Sequence, residues 1–412
     1  MNTKYGFDTS RLDRITQHLQ RSYIEPSKIS GCQTLVARHG HIVHFESLGH
    51  ADRERAVPVK DNTLFRIYSM TKPMTSVALM MLYEKGLFQL NDPVHRVVPE
   101  WREQRVWLAG EGDNMETVAP KRPITFRDLL SHTGGLTYGG GLPGVGIEHP
   151  VDHVYRQLKI RALGSNDTLP VFLRKLGQVP LVFHPGERFM YSLSTDACGA
   201  LVELLSGQRF EDYIQTELLD PLGMHDTGFY VPEAKRSRFT ANYQRQPDGS
   251  LQKIDDPTTS AYLTPPTFFS GGGGLVSTSR DYFRFCEMLR RGGELDGHRY
   301  LAPRTIALMR RNHLRGAVEH ESRTLREMAV GTYAETATDG VGFGLGFASV
   351  LDEVAAGSIN AGDFYWGGAA STIFWVDAKA DLVVIFMTQL MPSRSFDFRG
   401  QLKNLVYSAL VE

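Results

Sequence analysis

Ser69-Met-Thr-Lys72 contains the two residue types needed to turn a hydroxyl into a nucleophile. If the segment is helical, positions three apart share a face, and the Lys72 amine reaches the Ser69 hydroxyl. A serine hydroxyl attacks a carbonyl poorly until a neighbouring base takes its proton. A lysine can take it when burial makes the amine partly neutral. A helix start also adds partial positive charge where an oxyanion would develop. The same four residues would equally fit a capping serine and a solvated lysine. A second Ser-x-x-Lys, Ser250 to Lys253, follows the polar turn Pro247-Asp-Gly249 with no apolar helix behind it, and reads as coincidence.

Two later segments carry compatible chemistry. Tyr191 lies in Pro185-Gly-Glu-Arg-Phe-Met-Tyr-Ser-Leu-Ser194, just before a helical pattern. A tyrosine beside an ammonium gains acidity, so it could act as general base or relay a proton to a leaving group. The alternative is a partly buried tyrosine with a satisfied hydroxyl. Tyr365-Trp366-Gly367-Gly368-Ala369 reads as the entry to a strand. Its glycines would let a substrate lie along the strand edge, and the Ala369 N–H could join that of Ser69 as an oxyanion hole. The alternative is a strand opening with no ligand.

These groups need rigid elements to hold them. Residues 69–85 include the apolar run Val77-Ala-Leu-Met-Met-Leu-Tyr83 and end at Gly86, which predicts a helix buried all round with a glycine past its C-terminus. Ala197, Ala200, Leu201, Leu204 and Leu205 share one face of a helix over 195–206, followed by Gly207. Leu12, Ile15, Leu19 and Tyr23 predict an amphipathic helix over 9–24, capped by Thr9 or Ser10. Thr34–Glu46 reads as two strands around His39-Gly40, and Phe374–Phe386 as strand, turn, strand. Residues 341–350 read as a strand whose Gly342, Gly344 and Gly346 mark a close approach of backbone or ligand. Gly271–Gly274 precedes a helix capped at Ser277-Thr-Ser279, and a last helix covers roughly 396–411. Strands and helices therefore open and close the chain. The expected arrangement is one sheet domain from residues 1–80 and 265–412, with residues 81–264 as a helix-rich insert. Gly134–Pro150 is long and glycine-rich, a candidate pocket lining.

Composition excludes several other functions. The 412 residues suit two or three domains at about 150 residues each. A net charge of −1 offers no case for nucleic acid or an anionic membrane. No apolar run approaches the roughly 18 residues of a membrane span. Residues 1–10 are polar without a basic start and apolar core, so no secretory signal is expected and the expected location is the cytoplasm. Cys32, Cys198 and Cys286 are odd in number and far apart, so neither a disulfide framework nor a zinc knuckle is expected. His39, His41 and His44 read as strand or turn positions, not a metal site. No serine sits in Gly-x-Ser-x-Gly, and there is no P-loop, HExxH or GxGxxG after a strand.

Taken together, in this order and spacing, the elements resemble the class C β-lactamase superfamily of penicillin-recognising serine hydrolases. Within it they are most similar to the family VIII carboxylesterases, with fungal acyltransferases of the statin-pathway type as cousins. The matching segments span nearly the whole chain: Phe65–Pro73, Leu87–Pro93, Thr125–Leu136, Pro185–Ser192, Pro221–Phe229 and the Trp366 segment. The resemblance implies an α+β fold, with an antiparallel sheet flanked by helices plus a helix-rich second domain and the site between them. It also implies Ser69 as the acylated nucleophile, Lys72 as its partner, Tyr191 as base and Ala369 N–H in the oxyanion hole. His132-Thr133-Gly134 looks like the family's Lys-Thr-Gly motif, but it precedes Tyr191 where that motif should follow, and reads as a structural turn.

This chain departs from the β-lactamase pattern at two places. Leu193 stands where Tyr-x-Asn places an amide, and Trp366-Gly367-Gly368 stands where Lys-Thr-Gly is found. The groups that would hold a lactam side chain and carboxylate are gone, each missing charge-assisted bond being worth about 1.5–3 kcal/mol. Trp366 is expected to offer an apolar wall to an acyl or alcohol group, with Gly367, Gly368 and Leu193 beside it. The expected activity is hydrolysis of small or medium carboxylic esters through an acyl-serine, without metal or cofactor, on a small-molecule substrate. The alternatives are a β-lactamase or acyltransferase of the same fold, or a catalytically silent binding relative.

Overall fold

The computed structural model describes residues 3–140, 148–315, 322–330 and 339–412. Part of the expected pocket-lining loop, residues 141–147, therefore lies outside the described residues.

Strands β1 (Gly31–Arg38) and β2 (His41–Asp52) form the expected hairpin. Its turn residues His39 and Gly40 both have positive φ, 52° and 80°, the combination that matches the right-handed twist of the flanking strands. A short β3 (Val57–Pro58) follows. The C-terminal part adds β4 (Val341–Phe343), β5 (Ala348–Val350), β6 (Phe364–Gly367), β7 (Ile373–Asp377) and β8 (Leu382–Thr388). The order is β4-β5-β6-β7-β8-β1-β2-β3, antiparallel throughout. Residues 341–350, expected as one strand, are a hairpin of two. A Cβ on Gly344 would lie 2.1 Å from the Met309 carbonyl oxygen, so another backbone does press on this stretch and the chain turns there.

Helices cover both faces. α1 (Thr9–Leu19) continues as a wider π turn over Gln20–Ile24. Its cap is Asp8, which accepts from the Ser10 and Arg11 N–H groups, not the expected Thr9 or Ser10. The remaining long helices are α2 (Thr71–Glu84), α3 (Ser194–Ser206), α4 (Ser279–Arg290) and α5 (Phe398–Ala409). Strand alternation assigns their faces. Phe386 meets Phe398 of α5, whereas Phe374, on the opposite face, meets Tyr282 of α4. The antiparallel sheet between helices, with further helices inserted, is the α+β architecture expected.

The helix-rich stretch contains α3 and shorter helices such as Phe126–Leu130 and Leu169–Leu176. Its far end does not stay apart from the sheet body. Asn242–Arg245 runs parallel to Leu390–Met391, and the fully buried Arg66 guanidinium binds Asp255, the Thr240 carbonyl and the Ser260 hydroxyl. A buried guanidinium needs several oxygens to replace its hydration. Residues 240–260 supply them from inside the expected insert. One apolar cluster runs continuously through both parts. Cys32, Cys198 and Cys286 are buried and free. Among the described residues, no helix is long and apolar enough to cross a membrane.

Candidate active site

The chain enters α2 through Tyr68, a non-glycine residue with φ 41°. Holding it there costs on the order of 1 kcal/mol. Its hydroxyl accepts from Asn242 Nδ2 at 3.0 Å, and a 3₁₀ turn over Tyr68–Met70 presents Ser69 half-buried. Below it, residues 71–82 are all buried, as the apolar run requires. Gly86, at φ 76°, closes the helix: its N–H bonds the Tyr83 carbonyl and the Leu87 N–H bonds that of Leu82. Tyr282 of α4 also donates to the Met70 carbonyl at 2.9 Å.

Lys72 is 1% exposed. Its Nζ donates to Ser69 Oγ at 3.1 Å and to the Gly272 carbonyl at 2.6 Å. The spacing of three therefore works as expected, although Ser69 itself sits in the tighter turn. The glycine run explains itself here: a Cβ on Gly271 would lie 2.8 Å from the Thr195 carbonyl, and one on Gly272 2.5 Å from Asp196 Oδ2. This backbone threads between α2 and α3 with no room for side chains.

Tyr191 comes from the segment entering α3. That segment is pinned by Met190 N–H on the His132 carbonyl and Leu193 N–H on the Thr137 carbonyl. The face of its ring lies 4.5 Å from Lys72 Nζ. The phenolic oxygen accepts from Trp366 Nε1 at 3.1 Å. Ser69 and Lys72 thus meet Tyr191, distant in sequence, around one amine.

Trp366 corrects the expected apolar wall. Alternation along β6 puts it on the Phe374 face, the face of α4, while Tyr365 turns away beneath Arg399. Trp366 is 2% exposed and engages Tyr191 through its N–H. Leu193, expected beside the substrate, is fully covered and belongs to the core. Gly367 ends β6, paired with Ile373. The expected strand entry is thus a strand end. Gly368 is a glycine because a Cβ would fall 2.4 Å from the Ile67 carbonyl and 2.3 Å from Thr372 Oγ1, so the chain itself, not a substrate, fills that space. The contact brings the Gly368–Ser371 turn, with Ala369 half-buried in it, against the segment leading into Ser69.

Three residues not assigned from sequence complete the surroundings. Tyr138 stands against Tyr191, rings 5.5 Å apart edge to face. Burial, and then the neighbouring Tyr191 and Asp196, hold its hydroxyl well above the usual range. His132 belongs to the structural turn expected of it, with Thr133 Oγ1 bonding Asp128. Its ring nevertheless packs 5.0 Å from that of Tyr191 and shares hydrogen bonds with Ser192 and Thr195. Burial and the Lys72 charge hold the imidazole well below its usual value, so it is neutral. Asp196, on the first turn of α3, is wholly buried, and burial raises its carboxyl while Lys72 opposes that shift. Nothing in their spacing separates these three from an ordinary loop tyrosine, turn histidine and helix-start aspartate.

The decoys sit elsewhere. Ser250 closes a turn on Asp248, while Lys253 pairs with Asp52, Glu54 and Asp256. His39 bonds Asp381, His41 stacks on Tyr5, and His44 is buried. Among the described residues, no group of three His, Cys, Asp or Glu side chains could hold a metal ion.

Known proteins resemble this chain over most of their length. The chain is 34% identical over 381 residues to Protein Rv1367c of Mycobacterium tuberculosis (strain ATCC 25618 / H37Rv), spanning 92% of this chain and 90% of that one. It is 31% identical over 402 residues to Esterase EstB of Burkholderia gladioli, spanning 94% and 92%. Its fold superposes on that of EstCE1, described as a hydrolase with promiscuous acyltransferase activity, with TM-score 0.78 and 29% identity over 97% of this chain and 99% of that one. The Beta-lactamase family model matches residues 13–408, and with the esterase relatives it shows the chain to be a serine hydrolase that belongs to the beta-lactamase family, on the side resembling the class C and family VIII enzymes.

Proposed function

We propose that the protein is a carboxylesterase that cleaves small and medium carboxylic esters through an acyl-Ser69 intermediate. The observation that carries this reading is the buried Lys72 amine, 3.1 Å from Ser69 Oγ and facing the Tyr191 ring, in a chain that has leucine at 193 and Trp-Gly-Gly at 366–368 where a lactam-binding sequence would carry polar groups. Lys72 and Tyr191 act as one coupled pair and take the Ser69 proton. Ser69 Oγ attacks the ester carbonyl carbon, and the oxyanion rests on the N–H groups of Ser69 and Ala369. Collapse breaks the ester C–O bond, and the alkoxide leaves as an alcohol with the proton from the pair. Water, giving its proton to the same pair, attacks the acyl-serine; the acid departs and Ser69 Oγ regains its proton.

Hydrolysis of p-nitrophenyl butyrate by wild type and Ser69→Ala tests the assignment. The variant is expected to lose at least about 1,000-fold in kcat/KM; undiminished turnover ends the reading. Nitrocefin turnover matching ester turnover would move the protein to the β-lactamases. A second reading, acyl transfer, is favoured by the likeness to EstCE1, described as a hydrolase with promiscuous acyltransferase activity. An added alcohol that diverts acyl product from acid to new ester would establish it.

A further inference from the structure

Asp196 is a carboxylate without solvent and only half satisfied. Oδ1 accepts from the Ser270 hydroxyl at 2.5 Å and from the Gly272 N–H at 3.0 Å. Oδ2 is buried with no hydrogen-bond partner. A buried carboxylate with an idle oxygen is costly, and such groups concentrate where a charge is used. The charge it can serve is close. Gly272 gives its N–H to Asp196 and its carbonyl to Lys72 Nζ, so one glycine is clipped between carboxylate and amine. A Cβ there would lie 2.5 Å from Asp196 Oδ2, so any other residue would displace the carboxylate.

The groups around this carboxylate are few. Lys72 faces it from α2, Ser270 and Gly272 from the glycine run, and Tyr138 from the Tyr191 side. Cys198 is on its own helix, a buried thiol pushed up by burial and then by Asp196 itself. The Lys72 amine is therefore the cation of this pocket. In nucleophile–base pairs the base is commonly oriented by a third group, which also stabilises the cation formed when the base is protonated.

We propose that Asp196 is a positioning residue for the hydrolysis. Through Gly272 it aims the Lys72 amine at Ser69, and its negative charge stabilises the cationic pair formed when Ser69 gives up its proton. The proton passes from Ser69 Oγ to the Lys72–Tyr191 pair and on to the leaving alkoxide; Asp196 neither gains nor loses it. This rests on the ester-hydrolase reading above.

Asp196→Asn keeps an acceptor for Ser270 and Gly272 and removes the charge. With p-nitrophenyl butyrate, kcat is expected to fall about tenfold or more while KM moves less than about twofold, the pattern of a contact used in the transition state. The acidic limb of the kcat/KM–pH profile should move, because the carboxylate whose protonation contributes to it is gone. A purely architectural aspartate would give a variant with an unchanged melting temperature, wild-type kcat and wild-type profile, and that result overturns the proposal. If Asp196→Asn does not fold, Ser270→Ala loosens the same oxygen. It should lower kcat and move the acidic limb to higher pH, because the Ser270 hydroxyl holds the Asp196 carboxyl down, and wild-type behaviour would again overturn the proposal. The rate of Ser69 labelling by a fluorophosphonate reads the same activation without any ester. It separates the two failures: a wild type that labels but does not hydrolyse esters sinks the esterase reading, whereas labelling indifferent to Asp196→Asn sinks this one.

Discussion

Trp366 Nε1 donates to the Tyr191 hydroxyl and holds that oxygen in place for the proton exchanged with Ser69, and a hydrogen bond to a group that carries charge during the transfer is worth about 1.5–3 kcal/mol. Trp366→Phe keeps an aromatic ring against Tyr191 and deletes only the donor. Steady-state kinetics on p-nitrophenyl esters should show kcat reduced about 10- to 100-fold with little change in KM; an unchanged kcat would restrict Trp366 to a packing role. That Ser69, Lys72 and Tyr191 would come together was legible from residue type, and for the first two from helical spacing as well. The role of Trp366 was not legible, because an indole offers both a broad apolar face and a single N–H, and only the register of β6 decides which one meets Tyr191. Asp196 was hidden for a related reason: an aspartate on the first turn of a helix already has an ordinary explanation in the helix dipole.

α2, the helix that follows Ser69, is held by its neighbours more than by its own ends. Gly346, with φ 107°, lies against Ser76 of α2, where a Cβ would sit 2.3 Å from the serine Oγ. Gly346→Ala must therefore strain the backbone and press on the helix one turn below Lys72. The expected cost is about 2 kcal/mol of stability, with reduced ester turnover in the fraction that stays folded. Thermal unfolding alongside the p-nitrophenyl butyrate assay measures both, and a variant with the parental melting temperature would contradict the packing described. The glycines at 342, 344 and 346 announced such an approach in sequence, and for all three the approaching atoms belong to the protein. α2 was readable from its unbroken apolar run, and α3 from its single apolar face. The two strands of 341–350 were not, because the turn between them is imposed by Met309, a tertiary contact. The cap of α1 was missed by one or two residues, since Asp8, Thr9 and Ser10 are all competent and only backbone geometry chooses among them.

The whole molecule joins its two ends in one sheet, with a helix-rich stretch between. The pairing of early with late strands was legible from where strand patterns fell along the chain. The edge of the inserted stretch was not, because Arg66 draws residues 240–260 back to the sheet body through contacts that leave no periodic trace. At the centre of the sheet β1 lies beside β8, and Thr388 Oγ1 donates to the Gly31 carbonyl across 357 positions of sequence. Pairing of such separation is slow to form. It also sets an order on biosynthesis. While the ribosome works through the middle of the message, β1 has left the exit tunnel without its central partner, and the strand carrying Trp366 does not yet exist. Catalytic competence should then arrive only as translation ends: nascent chains stalled before residue 382 should resist fluorophosphonate labelling that the released protein accepts, and labelling of those stalled chains would show that the serine is armed without the finished sheet.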